Sequence, residues 1–192
     1  ESGLSRIRKH TQEHECAVIT AFRGDPSDES RCTENGSMYD VDNMTRNRDL
    51  KATLLGVGFG VTKVAGAYIE DFGTEIAKEV KENSLFCVNL KDDATFVEMI
   101  AILGEKFCQD SVMIIPRGGE GVYLLGTNNA EFPGFGKKEV VGDVSYGKES
   151  EFMTKVGGRP FTTNESLKLE TYKDLSRNER IFVRSVQKRI LG

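Results

Sequence analysis

The sequence predicts an α+β fold: a two-layer sandwich with a ferredoxin-like, mostly antiparallel sheet, two helices on one face and further helices at the termini. Two stretches carry that prediction. AVITAFR at 17–23 is a strand-like apolar run followed by a helix-like run at 43–55, and SLFCVNL at 84–90 is followed by a helix-like run at 94–107. Strands alternating with amphipathic helices must bury one face of each against the other, which is the two-layer solution. A chain of 192 residues with 38% hydrophobic and 29% charged residues can form one such core. We expect it over 15–146, with an N-terminal helical extension at 1–14 and a C-terminal extension at 147–192.

Ser2 to His14 places Leu4, Ile7 and Thr11 at helical spacing, with Ser2 or Ser5 as N-cap. The strand at 17–23 leads into GDPSDESRCTENGSMYDVD, a polar stretch with almost nothing to bury and therefore a surface loop. Asp42 or Asn43 then caps a helix carrying Met44, Leu50, Leu54 and Leu55, and Gly56 ends it. VTKVAGAYIED reads as a strand, with Gly66 a bulge or close-packing point, and the charged FGTEIAKEVKEN has room for one helical turn. The nearly continuous apolar run SLFCVNL belongs in the middle of a sheet.

Asp93 caps the most strongly patterned helix, where Phe96, Met99, Ile100, Leu103 and Phe107 form one stripe. Burying a large apolar side chain contributes about 1.5–3 kcal/mol, so Leu103→Ala is expected to cost about 2–5 kcal/mol in denaturant unfolding. SVMIIP and GVYLLGT flank RGGE as a Gly-rich hairpin. KEVVGDV reads as an edge strand. The tail holds GGRPF, a weak strand LKLETY, and a helix that begins at Ser176 with Glu179 three residues on, a capping-box pattern.

Composition excludes several functions. The net charge of −4 argues against general coating of nucleic acid or an anionic membrane. No apolar run reaches the roughly 18–20 residues that span a bilayer, and ESGLSRIRKH lacks the apolar core of a signal peptide. We expect no membrane association, no cofactor and no metal site. Cys16, Cys32, Cys87 and Cys108 are widely spaced without C-x-x-C, which makes a reducing compartment the default and Cys16 and Cys87 small buried hydrophobes. His10 and His14 have the four-residue spacing of a metal pair but lack a third ligand, so both are read as solvated.

GVGFG at 56–60 leaves a helix and enters a strand, the reverse of a phosphate-cradling loop, and PGFGKK lacks the P-loop spacer. With two histidines, both N-terminal, and no G-x-S-x-G, no hydrolytic triad emerges. Phe22-Arg23-Gly24 resembles the arginine element of ADP-ribosyltransferases, and Glu149-Ser150-Glu151 resembles their acidic pair; on that reading Arg23, Glu149 and Glu151 are catalytic. The intervening α/β units depart from that family. On the last helix Arg180, Arg184 and Lys188 lie apart from Phe182, Val183, Val186 and Ile190, which suits packing first and a weak nucleic-acid contact second.

Blocks of the chain resemble an uncharacterised family of tailed-bacteriophage proteins with bacterial relatives: AFRGD, NRDLKATLLGVGFG, VAGAYIED, SLFCVNL, KFCQDSV, YLLGTNNAEFPGFGKKEVVGDVSYGKESEF and GGRPF. The resemblance covers most of 4–161. It implies a virion component, associated with the head or capsid, present in the host cytoplasm during assembly, with other virion proteins or copies of itself as partners, and with a leader removed before Glu1. We therefore expect a non-enzymatic structural or interaction protein, with an ADP-ribosyltransferase-like effector or a nucleic-acid-associated protein as the alternatives. The resemblance transfers no catalytic residues. Arg23, Asn47, Arg48, Gln109, Asp110 and Asn128 are expected in internal polar networks first and in a site second. Gln109 and Asp110, with Asn128, Asn129 and the loop from Phe132 to Gly136 that carries Phe135, mark the end of the sheet where a pocket or interface is expected.

Overall fold

A computed structural model describes residues 3–24, 29–37, 41–70, 78–146, 152–156 and 159–164. Among them are three helices and eight strands: α1 (Gly3–Glu13), β1 (Cys16–Ile19), α2 (Asn43–Gly56), β2 (Gly60–Glu70), β3 (Lys78–Val88), α3 (Phe96–Lys106), β4 (Ser111–Ile115), β5 (Val122–Gly126), β6 (Lys138–Tyr146), β7 (Phe152–Val156) and β8 (Arg159–Asn164). The α+β class stands. The ferredoxin-like order does not, because the strands pair in the order β1-β3-β2-β7-β8-β6-β5-β4 and β4 returns to β1, closing a barrel with every pairing antiparallel.

Closure changes three local expectations. Residues 78–83 of the charged connection extend β3 instead of forming a turn of helix, and Lys78–Val88 pairs residue for residue with Gly60–Glu70. That unbroken register leaves no bulge at Gly66; the irregularity falls between Val122 and Tyr123, where β5 meets β6. KEVVGDV is no edge, since β6 lies between β5 and β8. The GGRPF block contributes to β8, so strands of the 147–192 stretch close the ring beside β2 and β6. LKLETY and the helix expected from Ser176 lie outside the described residues.

Antiparallel neighbours share a face, and the two faces bury different clusters. Ala17, Ile19, Leu85, Cys87, Val112, Ile114 and Leu125 meet Leu50 and Leu54 of α2, Phe96, Ile100 and Leu103 of α3, and Phe107 just beyond it. Cys16, Phe86, Val88, Ile115, Val122 and Leu124 face the other way and enclose Ile7 of α1. The apolar run of β3 is thus covered on both faces, as its composition predicts. Helix α3 can lie close to β4 because residue 104 is glycine: a Cβ there would sit 2.7 Å from Val112 Cγ1 and 2.9 Å from Thr127 Oγ1.

Helix ends follow from the sequence. Asp42 accepts from the Thr45 N–H at 3.0 Å and from its hydroxyl at 2.8 Å, and these bonds hold its carboxyl below the usual carboxylate range. At α3 the N-cap is Thr95 and not the expected Asp93, which instead accepts the Thr95 N–H and hydroxyl, both at 2.8 Å, in the turn before the helix. Among the described residues no helix is long and apolar enough to cross a membrane.

Candidate functional site

Two polar regions flank α2, and they differ in what their side chains do. The first is a network at the C-terminal end of α3. Asp110 accepts from Arg23 Nη1 at 2.8 Å, Asn128 Nδ2 at 2.8 Å and Arg31 Nη1 at 3.2 Å. Burial opposes ionisation of this carboxyl, but the bonds from Arg23 and Asn128 and the charges of Arg23 and Arg31 outweigh it and hold its pKa below the ordinary value. Gln109 Nε2 donates to the carbonyls of Phe107 at 3.0 Å and Phe22 at 3.3 Å. The structure therefore brings Arg23, Gln109, Asp110 and Asn128 together, as sequence reasoning expected of a buried network.

Arg46 joins this region from the other side. It is completely buried, and its Nη2 donates to the Phe107 carbonyl at 2.6 Å, fastening α2 to the last turn of α3. A helix that buries Arg46 and Asn47 beside Leu50 and Leu54 shows little amphipathic contrast, which hides its inner face from sequence patterning.

The Phe132–Phe135 loop folds back on this end of β5: the Gly136 N–H donates to the Gly126 carbonyl and the Gly126 N–H to the Lys137 carbonyl, each at 2.9 Å. Phe132 and Phe135 stay exposed. Glu149, Glu151, Arg180, Arg184 and Lys188 lie outside the described residues, so Arg23 has no described acidic pair from the 149–151 segment.

The second region is a groove of about 580 Å³ between α2 and the β2–β3 ladder, lined by Met44, Thr45, Asn47, Arg48, Lys51, Lys63, Val64, Asn83 and Ser84. Its volume lies within the range of small-molecule sites. Positions 44, 48 and 51 fall on one side of α2 by helical spacing. Lys63 stands opposite Leu85 and so belongs to the helix-facing side of β2. Asn47 fixes the floor: its Oδ1 accepts the Ala21 N–H at 3.1 Å and its Nδ2 donates to the Asn83 carbonyl at 3.2 Å, where the Thr20 hydroxyl also donates at 2.9 Å. Three cations thus surround a hydrogen-bonded, amide-lined floor. Asn47 and Arg48 were candidates from sequence; Met44, Lys51, Lys63 and Asn83 were not, although basic residues at 48 and 51 on one helix side were a usable signal.

The thiols divide as well. Burial, and secondarily Glu15, pushes the Cys16 thiol up to about 12, and burial drives Cys87 up too, so both stay protonated packing groups. Cys32 and Cys108, which the spacing left unpaired, form a disulfide across 76 residues. His14 bonds Asp92 at 3.2 Å and His10 is half-buried, its pKa lowered by burial and by His14; among the described residues no group of three potential ligands could hold a metal.

Residues 17–166 match the model of the S-adenosylmethionine lyase family. The chain belongs to that family. No curated protein matches it. Membership of an enzyme family overturns the expectation of a non-enzymatic structural protein of the virion, and neither the ADP-ribosyltransferase-like nor the nucleic-acid reading is retained. The match says nothing about phage origin, so the expected virion location and virion partners rest on the block resemblance alone. Short blocks shared in order identify relatives without revealing their chemistry.

Proposed function

We propose that this protein binds S-adenosylmethionine in the groove between α2 and the β2–β3 ladder and cleaves it there as a lyase. The observation that carries the reading is the family match over 17–166, within which every residue lining the groove falls. The ligand's chemistry suits the lining. Its amino-acid carboxylate is an anion for Lys63, Lys51 and Arg48. Its ribose and adenine offer hydroxyls and ring nitrogens to the polar groups of Thr45 and Asn83, and Met44 supplies apolar surface.

The sulfonium makes cleavage feasible without a metal-activated nucleophile. When a carbon–sulfur bond breaks, the electron pair stays on sulfur and the leaving group is a neutral thioether. A lyase then satisfies the carbon from within the substrate, through its own carboxylate or by loss of a neighbouring proton, and consumes no water. The protein's part is to hold the amino-acid arm in a reactive conformation and to exclude water.

Incubating the protein with S-adenosylmethionine and following the mixture by liquid chromatography and mass spectrometry tests this directly. The expected outcome is loss of substrate with release of a thioether nucleoside, the first-formed amino-acid fragment carrying no oxygen from isotopically labelled water. Unchanged substrate after prolonged incubation with stoichiometric protein, together with no heat of binding in titration calorimetry, would overturn the reading.

A further inference from the structure

Cys108 occupies a position that helices usually give to glycine. Beyond α3 the Gln109 N–H donates to the Gly104 carbonyl at 2.8 Å and the Cys108 N–H to the Glu105 carbonyl at 2.9 Å, a Schellman end that needs a left-handed residue, and Cys108 supplies it at φ 57°. A side chain in that conformation departs from the local rule. Its sulfur is the reason it can be useful, because it is joined to Cys32 in the segment 29–37.

That segment has no means of its own to stay in place. Apart from Cys32 its residues are Glu, Ser, Arg, Thr, Asn and Gly, and none of them is buried. It is held to α3 and the loop after β5 by polar bonds: the Ser37 N–H to the Lys106 carbonyl at 3.0 Å, the Asn129 N–H to the Arg31 carbonyl at 2.9 Å, and Asn35 Nδ2 to Glu105 at 3.3 Å. Gly36 lies so close that a Cβ would stand 2.7 Å from the Glu105 carbonyl and 3.0 Å from Cys108 Sγ. Arg31, next to Cys32, completes the Asp110 network. From there the path to the groove is short, since Arg23 and Asn43 exchange two bonds, Arg23 N–H to Asn43 Oδ1 at 3.1 Å and Asn43 Nδ2 to the Arg23 carbonyl at 2.8 Å. Asn43 begins α2, whose next residues Met44 and Thr45 line the groove.

We propose that the Cys32–Cys108 bridge is a redox-responsive clasp that holds residues 29–37 against α3 and, through Arg23 and Asn43, sets the first turn of α2 in the groove. Bridges that solvent can reach are the labile ones, and Cys32 is partly exposed, whereas the deeply buried Cys16 and Cys87 take no part. A dithiol opens the clasp: its thiolate attacks Cys32 Sγ, the more accessible sulfur, and Cys108 leaves as a thiolate that takes up a proton. The second thiol of the reductant resolves the mixed disulfide, so two electrons and two protons pass to the protein and the reductant becomes a disulfide. The effect on turnover rests on the groove reading above; the ordering of the segment does not.

The test uses the full chain, air-oxidised or reduced with dithiothreitol, and Cys32→Ser. Alkylation under denaturing conditions should count two thiols in the oxidised form and four in the reduced form. Hydrogen exchange of 29–37 should accelerate at least tenfold on reduction and in Cys32→Ser, with β3 unchanged, and turnover of S-adenosylmethionine should shift at least threefold. Four thiols in oxidised protein, equal exchange in both forms, or unchanged turnover in an active enzyme would overturn the clasp. Inert substrate in both forms, with the exchange difference present, would sink the substrate reading and leave the ordering role standing.

Discussion

The two polar regions beside α2 use charge in opposite ways. At the end of α3, Asp110 ties Arg23 and Arg31 together and also receives Asn128, so the charged side chains bond one another. In the groove, Arg48, Lys51 and Lys63 stand around a floor of amides, and among the described residues no salt bridge reaches Lys51 or Lys63. A paired network contributes to stability, and the cationic groove is the place proposed for recognition. The same helix serves both, with Arg46 turned inward and Arg48 outward.

The contrast is broken most severely from the inward side. Arg46→Ala removes a fully buried side chain and leaves the Phe107 carbonyl without that donor, so chemical denaturation should show a loss of about 3–4 kcal/mol. Lys63→Glu combined with Arg48→Glu should do the reverse: turnover of S-adenosylmethionine should fall roughly 100-fold, as expected for reversing cations that face a carboxylate, with the melting temperature nearly unchanged. A matching loss of stability would move these residues into the structural class.

Asp110→Asn should cost about 1–2 kcal/mol at neutral pH, discounted for its partial exposure. The sign of its pH dependence follows from its lowered pKa: the stabilisation is present above the unfolded-state value near 3.8 and is lost as pH falls through the lower folded value. Acid titration of the wild type should therefore show a steeper decline below about pH 4 than the variant does. Smallest of all, Leu55→Ser, on a half-exposed side chain outside both regions, should change stability by no more than about 0.5 kcal/mol.

Much of the local structure was legible. The stripe Phe96, Ile100, Leu103 placed α3 and its buried face, and Gly56 marked the end of α2. Ring closure was not, because periodicity reports which residues want burial and says nothing about whether β2 will meet β7, far away in sequence, or β6 will pass over β7 to meet β8. KEVKEN, short of apolar residues, read as a connection because a strand's backbone bonds leave no trace in composition. The network at Asp110 was anticipated, since clustered amides and acids beside strand and helix ends must find partners. The groove was half anticipated: Asn47 and Arg48 stood out, while Lys63 took its place only once β2 lay beside α2. The Cys32–Cys108 pair had no spacing motif to announce it, and only the fold brings its ends together.

The ring's last two staves come late in the chain. Until residue 164 has emerged during synthesis, β2 and β6 each present an unpaired row of backbone donors and acceptors, an invitation to join a neighbouring nascent chain. Truncation before β7 should consequently yield aggregates rather than a smaller soluble domain, and folding yield in cells should depend on how quickly translation passes that point.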